Sequence, residues 1–205
     1  MRIRCVKLNE MKDSITEDGQ RFKYILPGEI ANVSDENKKI VRESSVTTQS
    51  KFRKKVNCPI FYECGGCDFL HIDYMHQLDM KQSYVKDLFS QSGFDIEVKK
   101  VIKSDRPLHY RHKMVLSAKT NKQKLRLGLY KEHTREVQPF LGCFIHDKKA
   151  NEVFRTVEIL MNKYKISAYD LKSELGILKH VLIRKTYDRQ QMLVVFVTNG
   201  SLLQN

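Results

Sequence analysis

Cys58-Pro59-Ile60-Phe61-Tyr62-Glu63-Cys64-Gly65-Gly66-Cys67 is the stretch on which the reading of this chain turns. It sets three cysteines within ten residues, in the pattern C-x5-C-G-G-C. Thiolates are the preferred ligands of soft metals and of iron–sulfur clusters. Two consecutive glycines let the backbone turn tightly enough to aim Cys64 and Cys67 at one point, through torsions that a Cβ forbids. Backbone N–H groups freed in such a turn can also offset the charge on sulfur. A metal loop is the reading that spacing and glycines favour. Reduced core thiols, or one disulfide with a thiol left over, are the blander alternatives.

Three ligands leave one corner open. The other two cysteines are Cys5, in a strand-like run at the N-terminus, and Cys143, in Phe140-Leu141-Gly142-Cys143-Phe144-Ile145-His146. Cys143 is the expected fourth ligand. Zinc is the rival occupant, because four-cysteine zinc sites also use C-x2-C knuckles. A C-x-x-C pair can be redox active, but no thioredoxin-like βαβ unit surrounds this one. His71 and His76 flank the loop and read as packing histidines, since sulfur ligands suffice.

Composition bounds the remainder. A length of 205 residues admits one or two domains with a real core. No apolar run approaches the ~18 residues of a membrane span. Met1-Arg2-Ile3-Arg4-Cys5-Val6-Lys7 lacks the apolar centre of a signal peptide. Five cysteines without a secretion signal point to a reducing, cytoplasmic setting. The formal net charge of +13 at pH 7 calls for an acidic partner, and nucleic acid is the usual one.

In chain order, residues 1–50 read as short strands of a small OB-like β-barrel. Ile3–Leu8 alternates at period two, as does part of Arg21–Leu26. Pro27-Gly28 marks a turn before Glu29–Val33. Ser34-Asp35-Glu36-Asn37-Lys38 reads as a polar turn, and Lys39–Arg42 extends again. An irregular loop is expected from Asn9 to Gln20, and a linker over 44–57. Residues 51–205 read as a second domain mixing helices with antiparallel strands. A helix starts near Asp73, with Tyr74, Leu78, Lys81, Val85 and Leu88 at helical spacing and Gly93 as its stop. Strands are expected at Ile96–Ile102, Tyr110–Ser117, Leu125–Tyr130 and Ile177–Lys185. Met192–Thr198 reads as a buried strand hairpinned to the last of these across Asp188-Arg189-Gln190-Gln191. An apolar stripe of Ala150, Val153, Phe154, Val157, Leu160 and Met161 predicts a helix over 148–164. Between Lys99 and Arg135 stand twelve Lys or Arg residues against two acids, Asp105 and Glu132. Such a basic sheet face suits phosphate contacts, which position RNA without reading its sequence. A plain solvated sheet face is the alternative.

Taken together, these residues resemble the N-terminal part of the S-adenosylmethionine-dependent RNA (uracil-5-)-methyltransferases, which make 5-methyluridine in 23S rRNA or tRNA. The pieces that carry the likeness are Leu26-Pro27-Gly28-Glu29, the C-x5-C-G-G-C loop, Tyr110-Arg111-His112-Lys113, Leu127-Gly128-Leu129-Tyr130, Cys143, Leu178–Arg184 and Met192–Asn199. They run in order along nearly the whole chain, and the cysteine pattern is the specific part. The resemblance implies an α+β fold: an OB-like, TRAM-like barrel over 1–50, then a central antiparallel-sheet and helix domain over 51–205 with a four-cysteine cluster loop. It implies a 4Fe-4S cluster on Cys58, Cys64, Cys67 and Cys143, and RNA held by Arg111, Lys113 and Arg184.

The departure from the family is equally informative. The family's reaction needs a Rossmann-like domain that binds S-adenosylmethionine on a glycine-rich loop and supplies a cysteine nucleophile to C6 of uracil. A base then takes the C5 proton. This sequence has no such loop, and none of its cysteines stands in the nucleophile motif. No closing element follows Asn199-Gly200, so a longer parent protein is expected, with no methyl transfer by this chain alone. A metal-stapled RNA-binding adaptor without chemistry is the alternative function, and cluster-based redox sensing a weaker third. A monomer with no membrane association is expected.

Overall fold

The computed structural model describes residues 1–9, 12–34, 39–188 and 191–200. Residues 35–38 of the polar turn expected at 34–38 and the centre of the turn at 188–191 lie outside them. By internal contacts the chain forms two units, Met1–Asn57 with Gly66–Asp105, and Cys58–Gly65 with Arg106–Asn205. Each is an α+β or mostly β assembly around its own antiparallel sheet. Among the described residues no helix is long and apolar enough to cross a membrane.

The first unit is built on five short strands: β1 (Arg2–Leu8), β2 (Ser14–Thr16), β3 (Arg21–Phe22), β4 (Ile30–Asn32) and β5 (Val46–Thr48). They pair antiparallel in the order β3-β2-β1-β4-β5. Period-two alternation in β1 sends Ile3 and Cys5 inward, onto Phe22, Ile25, Ala31, Val33 and Val41. The strand expected over Arg21–Leu26 stops at Phe22, because Tyr24 takes a left-handed backbone (φ 67°) that ends the ladder. Lys39–Arg42 adds only a parallel bridge, Lys23 to Ile40. The expected loop at 9–20 contains β2, and the expected linker contains β5.

That linker is also held from within. The Arg53 guanidinium is buried against the Glu29 carboxylate, with side-chain exposures of 2% and 0%. Arg53 Nε donates to Glu29 Oε1 at 2.6 Å, and Nη2 reaches both Oε2 and the Tyr24 carbonyl. The Ser50 and Leu26 N–H groups complete the carboxylate's shell at 2.9 and 2.8 Å. Glu29 follows the Pro27-Gly28 turn, where Gly28 supplies φ 84° and its N–H bonds the Cys5 carbonyl at 2.8 Å.

Helix α2 (Tyr74–Gln91) begins where the sequence places it. The Asp73 side chain accepts from the Met75 and His76 N–H groups. Its apolar stripe is only partly used, since Leu78 alone is buried while Val85 and Leu88 are exposed. The strand expected at Ile96–Ile102 does not form. Its apolar side chains meet no core, Ile102 being 95% exposed, and the segment is held by the Gln82 side chain on the Val98 carbonyl.

The second unit's sheet runs β10-β9-β6-β7-β8, all antiparallel, from β6 (Lys113–Asn121), β7 (Lys124–Tyr130), β8 (Val137–Pro139), β9 (Leu178–Lys185) and β10 (Met192–Thr198). One face packs Met114, Leu116, Leu125, Leu127, Val181 and Ile183 against Ala150, Phe154 and Val157 of α3 (Lys148–Lys163). Because β8 is short, the Leu125 and Leu127 N–H groups face no strand. Asn162 and Glu158 of α3 accept them at 2.8 and 2.7 Å. Strand β10 is the correction here. It is an edge strand, and Leu193, Val195, Phe196 and Val197 are exposed rather than buried.

Removing either partner of Glu29–Arg53 strands a buried charge. Glu29→Ala and Arg53→Ala are each expected to lower unfolding free energy by about 3–5 kcal/mol. The pair Glu29→Leu/Arg53→Met is expected to cost far less than the two single losses added. Urea unfolding of the three variants measures this.

Candidate functional site

The cysteine loop is a single helical turn with a glycine brake. The Cys58 carbonyl accepts from the Phe61 N–H at 3.3 Å, and α1 (Phe61–Cys64) closes with the Cys64 N–H on the Ile60 carbonyl at 2.9 Å. Ile60 and Phe61 are buried and anchor the turn. Gly65 then takes φ 63°, ψ 4°, the left-handed C-cap that favours glycine. A Cβ there would also stand 2.7 Å from Glu132 Cγ. The Glu132 N–H bonds the Glu63 carbonyl at 2.9 Å, so this close approach is fixed by the backbone.

Cys143 is held by a residue that sequence reasoning missed. The buried Asn151 accepts the Cys143 N–H at 2.8 Å and returns its amide N–H to the Cys143 carbonyl at 3.0 Å. The same amide reaches the His146 and Asp147 carbonyls at 3.3 and 3.2 Å. Asp147 caps α3 by accepting the Lys149 N–H at 2.8 Å. The available signal was a polar side chain in the first turn of α3, beside the buried stripe position Ala150.

Cys58, Cys64 and Cys143 lie half-buried on the rim of one core, that of the second unit. Burial raises the Cys58 thiol above the usual range; the Ile60 N–H offsets this in part, and the nearby Cys143 adds to it. Cys143 is therefore close enough to act on the Cys58 thiol. Cys67 belongs to the first unit and is half-buried. Among the described residues no three His, Cys, Asp or Glu side chains gather as a metal site. The donor chemistry suits a thiophilic metal, and Cys58 with Cys143 is the part already brought together. No disulfide forms. Cys5 is buried in the first core, its thiol pushed up to about 11 by burial. His71 packs edge-on to Tyr24 and His76 stacks on Phe52 at 3.6 Å, so both histidines serve packing.

Arg111 leads into β6 rather than standing in it. Its N–H bonds the Ile145 carbonyl at 2.8 Å, and its carbonyl accepts the Asp147 N–H at 3.1 Å. The His109 ring N–H adds a bond to the His146 carbonyl at 2.8 Å. This zipper seats the guanidinium beside His146, a buried imidazole whose Nδ1 has no hydrogen-bond partner among the described residues. Burial, then the Arg111 charge, pushes His146 down to about 4. Lys113 and Arg184 are direct cross-strand partners on β6 and β9, both exposed.

No protein-family model matches the chain. A protein of Clostridium tetani named as an uncharacterised RNA methyltransferase is 32% identical over 160 residues, covering 78% of this chain and 35% of its own length. One of Bacillus cereus, named likewise, is 30% identical over 189 residues, covering 88% of this chain and 41% of its own length. The relatives of this chain are named RNA methyltransferases. The chain spans between about a third and two fifths of their length. Its fold matches the crystal structure of Pyrococcus abyssi tRNA (uracil-54, C5)-methyltransferase in complex with S-adenosyl-L-homocysteine, with a TM-score of 0.73 at 22% identity over 99% of this chain and 47% of that one.

Two predictions follow from the Cys143 corner. Asn151→Ala leaves buried backbone groups without partners and is expected to cost about 1–3 kcal/mol in urea unfolding. Asn151→Asp sets a carboxylate among carbonyl oxygens and is expected to fare no better. His146 is neutral in the fold and protonates more readily when unfolded, so its contribution is complete above pH 6.5. That contribution falls as pH drops from 6.5 towards about 4. His146→Phe is expected to flatten that part of the stability–pH curve.

Proposed function

We propose that this chain is the RNA-binding and substrate-recognition portion of an S-adenosylmethionine-dependent RNA (uracil-5-)-methyltransferase, with 23S rRNA, or else tRNA, as substrate. The observation that carries the reading is similarity to RNA methyltransferases along most of the chain, in sequence and in fold. S-adenosylmethionine supplies the methyl group, and its site and the nucleophilic cysteine belong to a length of such enzymes that this chain does not match.

The chain's own work is recognition. Residues 1–50 serve as an OB-like, TRAM-like RNA-binding barrel. Arg111, Lys113 and Arg184 bind phosphates, and their charge draws RNA by releasing counterions. Cys58, Cys64, Cys67 and Cys143 hold a 4Fe-4S cluster, with zinc as the alternative occupant. Bound there, the cluster supplies a structural crosslink rather than a reacting group. Asn151 and Gly65 fix the backbone at Cys143 and Cys64, two of the residues that would hold it. The protein works as a cytoplasmic monomer.

Metal and acid-labile sulfide analysis on anaerobically purified protein tests the cluster. About four irons and four sulfides per chain, lost in Cys58→Ala and Cys143→Ala, is the expected result. One zinc without sulfide replaces the cluster by a zinc staple and favours an RNA-binding adaptor. In parallel, affinity for 23S rRNA and tRNA transcripts is expected to fall steeply with salt. Absence of RNA binding by metal-loaded protein removes the reading.

A further inference from the structure

The outer face of the second sheet has a layout of its own. Strand register aligns three rows across β6, β9 and β10: Lys113–Arg184–Leu193, Val115–Leu182–Val195 and Ser117–His180–Val197. The alternate residues Met114, Leu116, Val181 and Ile183 enter the core, so these rows share the opposite face. Leu193 is 57% exposed, Val115 45% and Val195 38%. Ser117 faces Gly128 on β7, and Tyr130, two residues further along, shares this face at 39% exposure. The face is thus a cation pair at one end, an apolar row with an aromatic beside it, and a polar end where the half-buried His180 places Nδ1 3.1 Å from the Oγ of the buried Ser117.

Two features are unexplained by folding alone. Like charges directly opposite on neighbouring strands destabilise a sheet. Neither Lys113 nor Arg184 has an acidic partner among the described residues. A bound phosphate removes that repulsion. The apolar row beside the pair is open to water, although the other face of the same strands is packed.

We propose that this face binds one unpaired nucleotide of single-stranded RNA, its phosphate on Lys113 and Arg184 and its base against Tyr130 and Val115, with its polar edge towards His180. The inference rests on the RNA-binding reading above and specifies its ligand. A duplex offers the cation pair its phosphates but keeps its bases stacked inside, leaving the apolar row uncovered. An unstacked nucleotide satisfies both ends at once, since every base presents a face to an aromatic ring.

Fluorescence anisotropy with a labelled short oligouridylate and with a fully paired RNA stem tests this on the whole chain. Tyr130→Ala is expected to weaken oligouridylate binding roughly tenfold and to leave the paired stem unchanged. Tyr130→Phe keeps the ring and is expected to bind as the wild type does. The double variant Lys113→Ala/Arg184→Ala is expected to weaken both probes and to lower the salt slope by about one to two. If the wild type binds RNA but Tyr130→Ala affects neither probe, or both equally, the nucleotide site is overturned while the RNA reading stands. If the wild type binds neither probe, the RNA reading itself fails. If Val195→Asp dissociates a dimer without altering RNA affinity, the face belongs to a second copy and the proposal is wrong.

Discussion

Strand β6 can send only every second side chain inward, and the second unit follows from that constraint. Met114, Leu116 and Ala118 meet α3 on one side, so Lys113, Val115 and Ser117 must stand on the other. A one-residue slip would bury a lysine and expose the core, so the register is strongly held. The same register carries Arg184 to Lys113 and Leu182 to Val115. Core and outer face are one decision. Helix α3 reinforces it, because its Glu158 and Asn162 bond the β7 backbone that the short β8 leaves unpaired.

Elements with strong local periodicity were legible in the sequence. Helix α3 spans Lys148–Lys163 where its stripe places it, and the Asp73 cap starts α2. Strands β7 and β9 match their apolar runs. What failed were inferences about partners, which no local pattern encodes. Ile96–Ile102 has the composition of a strand but no neighbour to pair with. Met192–Thr198 has the composition of a buried strand but lies at a sheet edge, so its apolar run faces water on one side. Strands β2 and β5 were hidden for the converse reason. They are three residues long, too short to show a period; β2 is held by pairing to the longer β1, and β5 by pairing to β4, itself only three residues.

The candidate site divides along the same line. The cysteines and Gly65 were visible because ligand spacing and a left-handed turn leave marks in one short stretch. Asn151 was not, because an asparagine in a first helical turn has many uses. Its part emerges only when the loop at 143–147 folds back onto it. Glu132 was likewise invisible, since only the approach of its backbone to Glu63 shows why a side chain is forbidden at Gly65. Sequence names the candidate donors, whereas the groups that position them are distributed over the fold.

The basic excess needs the same sorting before it supports a function. Twelve cations between Lys99 and Arg135 look like one electropositive surface. Yet Arg126 is spent on Glu158 at 2.9 Å, and Lys131 on Glu136 at 2.9 Å. Outside that stretch, Lys185 holds the α3 cap residue Asp147 at 2.7 Å, and Arg53 is buried on Glu29. These cations are committed to the fold. A cation engaged by a carboxylate offers little to a phosphate, because binding must first break the pair. Lys113 and Arg184 differ in kind. They repel each other across adjacent strands, and the strain of that arrangement is relieved by an anion rather than increased by it. The pairing pattern, rather than the net charge, therefore separates the cations committed to the fold from those left open to an anion.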